Sequence, residues 1–425
     1  MAPDEEVRKL GANAHRTLFS SGEHDTYLRS LTVETEQRTT LQVARDEIRD
    51  EIRSGLREWS GHIERRQLFD ARMLASVSFA DSDLALRPKF RMQGSWSYHT
   101  LNRATHIPPQ EIDLDDGVFL PVSFLSQNGT THPVVVSAGY FTAVERILTP
   151  LCERKGWTLV TDKPSCVRVE IDDDAHIDLA LYAIPDDEFE ELLEKAATSM
   201  QFDTRMLDEN VSFAEQIYPR LPTDQIMLAH REEGWKPSDP RKLEDWFQSA
   251  INEHGQQLRR VCRYLKGWRD YNWTSCRLSS IALMACVVTA YDEAVGSIAE
   301  NRDDLALQMV ANRLPELLER RIPNPVVHGQ YLDEGWTREC RADFIAKARN
   351  LVMRIDSALT ANQSGTVIEH LRAALGDYLP DDEDLVVIDA SIGAPTLLNS
   401  GILKDFADHP DAREAVKKGG DGRYG

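Results

Sequence analysis

Three aspartates occur within four residues of the segment EIDLDDGVFLP, at positions 113, 115 and 116. Side chains alternate between the two faces of a strand, so Asp113 and Asp115 point the same way, with an isoleucine and a leucine on the opposite face. Asp116 has the parity of the apolar face, and because Gly117 follows it we expect it to end the strand or to face solvent. Two neighbouring carboxylates repel each other unless they are protonated or bridged by a cation. Mg²⁺ binds one or two carboxylates together with phosphate oxygens and water, so this spacing indicates metal-dependent phosphoryl or nucleotidyl transfer.

Two other segments could complete such a site. Gly94-Ser95 follows the strand-like KFRMQ, where a glycine lets backbone N–H groups approach an anion and the serine hydroxyl can donate to a phosphate. Asp178 is the one charged residue of HIDLALYAIP, and a lone carboxylate in a buried strand requires a partner or a metal. The aspartates at 172–174 are instead typical of a solvated hairpin turn. The alternatives to a metal- and phosphate-binding site are a D-x-D pair that is only solvated and a Gly-Ser pair that forms an ordinary turn. Both stay open, because short motifs often match by chance.

Bulk composition limits the possible partners. The chain has 425 residues, enough for two domains, and its net charge of −21 disfavours binding along a nucleic-acid duplex. A nucleotide substrate would therefore be small and held in a local pocket. The cysteines show no C-x-x-C pair and no zinc spacing. The N-terminus has no apolar core, and the longest apolar run, 281–290, is about half of what a membrane helix needs. We expect a cytoplasmic protein with no membrane contact.

The residue pattern predicts two differently built regions. Apolar residues at helical spacing over 39–60 predict a long amphipathic helix. Short β-type runs at 89–93, 112–120, 131–138, 158–161, 167–171 and 177–183, interrupted by one helix near 140–155, predict an α+β domain.

Beyond about residue 205 the chain is expected to be helical. One helix starts at Asp239-Pro240 and continues through 258–265. Ser279-Ser280 caps a second, which we expect to be central because it is apolar on most sides. A third carries its apolar stripe over 344–359. We therefore divide the chain into a catalytic lobe (1–204), a helical lobe (205–412) and a flexible tail (413–425).

The segments QGSWSYHTLN, EIDLDDGVFLP and HIDLALYAIP together resemble a known family. Gly-Ser, then D-x-D, then a single aspartate on a later strand is the pattern of nucleotidyltransferases related to DNA polymerase β. The full strings are similar to the bacterial cGAS/DncV-like nucleotidyltransferases (CD-NTases), in particular the branch with the DncV-type cyclic GMP-AMP synthases. The resemblance implies a polymerase-β-like α+β lobe with a long N-terminal helix, a helical OAS-like lobe, and an active site in the cleft between them.

The resemblance also assigns roles to residues. It implies that Asp113, Asp115 and Asp178 are the catalytic carboxylates and hold two Mg²⁺ ions, with Mn²⁺ as a substitute. The expected nucleotide-binding residues are Gln93, Gly94, Ser95, Tyr98, Lys266, Ser280 and Asn324. For some of these, plainer roles stay open: a core aromatic for Tyr98, a solvated lysine for Lys266 and a helix cap for Ser280.

The implied reaction joins ATP and GTP into a cyclic dinucleotide, most simply 3′,3′-cyclic GMP-AMP, as an antiphage (CBASS) second messenger for a separate effector. The tail ends in GGDGRYG, and in some relatives the C-terminal residue, here Gly425, is conjugated by an E1/E2-like partner; a plain disordered end is the alternative. Other hypotheses are transfer of a nucleotide to a protein, an RNA or a small molecule, a different cyclic product, or a non-catalytic nucleotide-binding protein.

Overall fold

A computed structural model describes residues 11–388 except 23, 72–85, 108, 128–129, 187–212, 214–216 and 224. The helices are α1 His15–Leu18, α2 Tyr27–Ser30, α3 Thr35–Arg57, α4 Arg65–Leu68, α5 Gly94–Ser97, α6 Ser137–Lys155, α7 Pro240–His254, α8 Gln256–Asn272, α9 Ser280–Asp292, α10 Asp303–Glu319, α11 Arg338–Thr360 and α12 Ser364–Leu375. The strands are β1 Ala12–Asn13, β2 Lys89–Met92, β3 Ile112–Val122, β4 Phe124–Gln127, β5 Thr130–Pro133, β6 Thr158–Val160, β7 Cys166–Asp172, β8 Ala175–Pro185, β9 Met227–His230, β10 Gly234–Pro237 and β11 Val387–Ile388. Short 3₁₀ turns lie at Trp59–Gly61, Tyr218–Arg220 and Glu383–Leu385.

A seven-stranded sheet carries the acidic segments. Its main path is β10-β9-β8-β3-β2, with β7 also pairing with β8 and β6 with β7. The central strands β3 and β8 are parallel, whereas the other pairings in this sheet are antiparallel. Parallel pairing places Asp113 beside His176 and Asp115 beside Asp178. The two acidic segments thus meet on one face of the sheet.

Helices α3 and α6 pack on each other and close the apolar side of this lobe. α3 buries Leu41, Ile48, Ile52 and Leu56, which confirms the predicted long amphipathic helix. Gly55 is required there because a methyl group at this position would overlap Ile147 of α6. The β-type run expected at 131–138 was wrong beyond residue 133, since α6 begins at Ser137.

A second core lies among α7–α12. α7 begins at Pro240 as predicted, and Asp239 caps it by accepting from the Arg241 backbone N–H at 3.0 Å. The expectation that this helix continues through residue 265 was wrong: Gly255, with φ of +86°, ends α7 and a new helix follows. α9 is buried along most of its length, as expected for a central helix.

The two lobes share chain segments. β1 pairs with β11, and the first described residues, through Leu31, belong to the helical core, whereas Val33 belongs to the core beside the sheet. In the other direction, the β9–β10 hairpin joins the sheet, so the expectation of helices alone beyond residue 205 was wrong. The predicted boundary at residue 204 and the tail at 413–425 fall outside the described residues.

Candidate active site

The parallel strands β3 and β8 bring the three predicted catalytic carboxylates together. Asp115 and Asp178 are register partners, and Asp113 lies two residues before Asp115 on the same face. Oxygens of Asp113 and Asp178 and a nitrogen of His176 lie within 4.8 Å of one another. The alternation inferred from the sequence therefore holds.

The glycine of the Gly-Ser pair is required by close packing against Asp115. Gly94 has a φ of +60°, and a methyl group there would overlap the Asp115 carboxylate. The neighbouring Gln93 backbone N–H donates to the Asp115 carbonyl at 2.9 Å. A residue with a side chain at position 94 would displace the carboxylate, so this glycine shapes the site.

The environment of Asp115 disfavours its charge. Burial, then repulsion from Asp113 and Asp178, raises the pKa of Asp115 to about 8. A positive ion among these groups would offset the repulsion and restore the carboxylate.

Polar atoms without partners also indicate that a positive ion binds among these groups. Asp113 Oδ1 and His176 Nε2 are buried and have no hydrogen-bond partner among the described residues, although they lie 3.2 Å apart. Buried polar atoms rarely remain unsatisfied without a functional reason. Carboxylates with unused lone pairs suit a hard divalent cation, so this donor set fits the expected metal.

Asp178 has an internal partner. Arg168 of β7 donates from Nε and Nη2 to its two oxygens at 2.7 and 2.8 Å. The lone carboxylate predicted in this strand therefore has a cation beside it, and each oxygen retains a further lone pair.

The expectation for Asp116 was wrong. β3 continues to Val122, and Asp116 is fully buried on its other face. Both of its oxygens accept from Arg49 of α3, at 2.7 and 2.5 Å. Asp116 is thus a structural residue that joins α3 to the sheet, paired with a charge as a buried carboxylate must be. The turn at 172–174 is largely exposed, as predicted.

A cavity of about 610 Å³ opens above these carboxylates, between the two lobes. Its lining includes the catalytic-lobe residues Asp113 and Asp115 and six of the predicted nucleotide-binding residues, namely Gln93, Gly94, Ser95, Tyr98, Lys266 and Ser280. Asn324 lies outside this lining; its Oδ1 accepts from the backbone N–H groups of Val326 and Val327 in a turn. Gly425 is outside the described residues.

Lys266 is buried rather than solvated. Its amine donates to the Thr100 carbonyl at 2.7 Å, and burial lowers its pKa to about 8. A desolvated ammonium at a cavity wall attracts anions strongly.

Two other predicted residues have clear packing roles. The Tyr98 ring packs edge-on against Phe247, and the residue is 8% exposed, so it is a core aromatic with one edge on the cavity. Ser279, not Ser280, caps α9, accepting from the Ala282 backbone N–H at 3.2 Å. Ser280 Oγ accepts from Arg269 Nη1 at 3.0 Å and faces the cavity.

The sequence analysis missed six charged or titratable residues of the lining: Arg103, Glu111, Arg168, His176, Arg269 and Asp270. His176 precedes Asp178 by two residues in a strand, so its parity was available as a signal. Arg168 gave no comparable signal, because its contact depends on the register of β7 against β8.

No helix in the described ranges is both long and apolar enough to cross a bilayer.

Comparison with known proteins gives consistent matches for both lobes. Residues 88–182 match the nucleotidyltransferase domain of DncV-like cyclic GMP-AMP synthases, and residues 255–388 match the cyclic GMP-AMP synthase C-terminal domain. The cyclic GMP-AMP synthase of Vibrio cholerae is 31% identical over 354 residues, covering 80% of this chain and 76% of the relative. An Escherichia coli cyclic GMP-AMP synthase is 30% identical over 334 residues, covering 75% and 74%.

Solved structures agree. Vibrio cholerae DncV in complex with the linear intermediate 5′ pppA(3′,5′)pG superposes with a TM-score of 0.72 at 25% identity, covering 90% of this chain and all of the other. DncV in complex with GTP and 5MTHFGLU2 gives 0.74 at 26% identity, covering 89% of this chain and all of the other. The chain belongs to the DncV-like nucleotidyltransferases, the family of the bacterial cyclic GMP-AMP synthases.

Proposed function

We propose that this chain is a cyclic dinucleotide synthase that converts ATP and GTP into 3′,3′-cyclic GMP-AMP. The observation that carries the proposal is the meeting of Asp113, Asp115 and Asp178 on one sheet face, below a cavity that both lobes line. The names of the relatives and the nucleotides in the DncV complexes support the choice of substrates.

In this reaction the 3′-hydroxyl of one nucleotide attacks the α-phosphate of the other. The new O–P bond forms as the bond to pyrophosphate breaks, pyrophosphate leaves with the electron pair, and the hydroxyl proton is released. The linear product then reacts once more in the same way and closes the ring. The protein's main contribution is positioning and charge screening.

Each wall of the cavity has a role in this scheme. The backbone at Gly94 and Ser95 approaches the donor phosphates, and the Lys266 ammonium attracts them from the helical lobe. Asp113, Asp115 and Asp178 would hold two Mg²⁺ ions, or Mn²⁺ in their place. Such ions lower the pKa of the attacking hydroxyl and neutralise charge on the leaving group.

The wider role follows from the family resemblance. We propose that the product activates a separate effector in antiphage defence, that the enzyme acts in the cytoplasm, and that Gly425 is a site of conjugation by an E1/E2-like partner. Deleting Gly425 and testing for lost adducts on a denaturing gel, with that partner co-expressed, checks the last point.

The decisive experiment is incubation of the purified chain with all four NTPs and Mg²⁺ or Mn²⁺, followed by phosphatase treatment and mass spectrometry. We expect a phosphatase-resistant cyclic GMP-AMP. The Asp113→Asn/Asp115→Asn double variant should make none, whereas Asp173→Asn, the same change in the exposed turn, should retain wild-type activity.

Full activity in the double variant would contradict the site. Nucleotide transfer to an added protein, RNA or small molecule without a cyclic product would favour the other nucleotidyltransferase hypothesis.

A further inference from the structure

His176 lies in the cluster of catalytic carboxylates without a role in the scheme above. It is the register partner of Asp113 and is 5% exposed. Burying an imidazole beside carboxylates is costly unless both ring nitrogens have a use.

The first ring nitrogen is fixed by Glu111. Nδ1 of His176 makes a short hydrogen bond to Glu111 Oε2. An ionised carboxylate accepts and does not donate, so the proton of this bond is on Nδ1. In the neutral ring, Nε2 then carries a lone pair.

The second ring nitrogen is directed at the carboxylates. Within the part of the chain that the structure describes, Nε2 is buried without a hydrogen-bond partner, and so is Asp113 Oδ1, 3.2 Å away. A ring nitrogen of His176 and oxygens of Asp113 and Asp178 lie within 4.8 Å of one another. When Nε2 is deprotonated, two lone pairs face each other at this separation, and a cation between them would satisfy both.

We propose that His176 is a nitrogen ligand of the divalent cation held by Asp113 and Asp178, and that Glu111 orients it. A metal-binding histidine usually donates its other ring N–H to a carboxylate, which fixes the tautomer and raises the basicity of the ligand. The order carboxylate, imidazole, cation site is present here in Glu111, His176 and Asp113.

The proposal has a consequence for metal choice. Mg²⁺ prefers oxygen ligands, whereas imidazole nitrogen favours metals later in the first transition row. A mixed site with one nitrogen should therefore bind Mn²⁺ or Co²⁺ more tightly than Mg²⁺.

The proposal rests on the metal-dependent transfer proposed above, so its test measures Mn²⁺ binding without nucleotide. Protein labelled with ¹⁵N in histidine alone is loaded with one equivalent of Mn²⁺ and studied by pulsed electron paramagnetic resonance. We expect a histidine nitrogen coupling that changes from the ¹⁴N to the ¹⁵N pattern on labelling and disappears in His176→Gln.

A second cluster of possible metal ligands requires a control variant. Glu253, His254 and Asp292 also bring donor atoms within 4.8 Å of one another at the surface. The coupling should persist in His254→Gln. A coupling lost in His254→Gln but kept in His176→Gln would overturn the proposal.

Glu111→Gln tests the orienting role. We expect roughly a 10- to 100-fold weaker Mn²⁺ affinity, as is typical of lost outer partners of a metal-binding histidine. Bound Mn²⁺ in the wild-type protein with no histidine coupling would overturn the proposal and assign His176 Nε2 as a donor to Asp113. That result would leave cyclic dinucleotide synthesis untouched, because the product assay is independent of it.

Discussion

Neighbouring aspartates of β3 should have opposite effects on stability. Asp115 is held where burial and two nearby carboxylates raise its pKa to about 8, whereas Asp116 is paired with Arg49. In metal-free buffer at pH 8, we expect Asp115→Asn to be more stable than the wild type and Asp116→Asn to be less stable.

The magnitudes follow from these environments. A tenfold change in an ionisation equilibrium is worth about 1.4 kcal/mol, so raising the pKa of Asp115 from 3.8 to about 8 sets an upper limit on the order of 6 kcal/mol. Relaxation and water reduce this, and we expect a gain of roughly 2 kcal/mol. Asp116→Asn leaves the Arg49 charge buried without its counter-charge, which typically costs about 3–5 kcal/mol.

The pH dependence of the free energy of unfolding gives a second test of the sign of the Asp115 effect. An acid with a higher pKa in the folded state binds more protons there, so stability falls as pH rises from about 4 to about 8. Asp115→Asn should remove this contribution. Urea unfolding with a chelator present, at pH 5 and pH 8, measures both variants.

Two results would refute this reasoning. One is an Asp115→Asn variant that is less stable than the wild type at pH 8. The other is an Asp116→Asn variant with unchanged stability. Added Mg²⁺ should stabilise the wild type more than Asp115→Asn, because only the wild type has the Asp115 charge for the cation to neutralise.

Three further substitutions test the cavity. Gly94→Ala should lower kcat/KM at least 100-fold because the methyl group overlaps Asp115. The control Gly156→Ala has a similar φ of +72° and open space around it, so it should keep full activity and lose about 1–2 kcal/mol of stability. Equal activity losses in the two variants would refute the overlap. Lys266→Met should raise the KM for nucleoside triphosphates at least tenfold. It should not lower stability at pH 7, because the charged amine is desolvated in the folded protein and its pKa is lowered to about 8. A changed kcat with unchanged KM would contradict a phosphate-binding role. Asn324→Ala should lower stability by about 1 kcal/mol in thermal unfolding and leave the product unchanged, since the Asn324 side chain holds a turn. An altered base preference would show that Asn324 does reach the nucleotide.

The sequence was sufficient for the centre of the site. Strand parity placed Asp113 and Asp115 on one face, and the apolar neighbours of Asp178 marked it as a buried carboxylate. These inferences depend on residues adjacent in the chain, where the period of a strand is reliable.

Contacts between distant segments were not predictable in the same way. The partner of Asp116 lies 67 residues away on α3, and nothing in the local pattern names it. The burial of Lys266 depends on how α8 packs against Thr100. The β9–β10 hairpin is short and weakly patterned, and it is a strand pair because β8 offers an edge.

The pairing of β1 with β11 also determines the order in which the chain can fold during synthesis. Ala12 is among the first described residues to leave the ribosome, and its partner Ile388 is the last. At about 5–20 residues per second, the N-terminal segment must wait on the order of tens of seconds for its partner strand. The sheet's strands are complete by residue 237, well before α7–α12. The helical core, which needs both the beginning and the end of the described chain, is therefore completed last, and binding of nucleotides across the two lobes can begin only then.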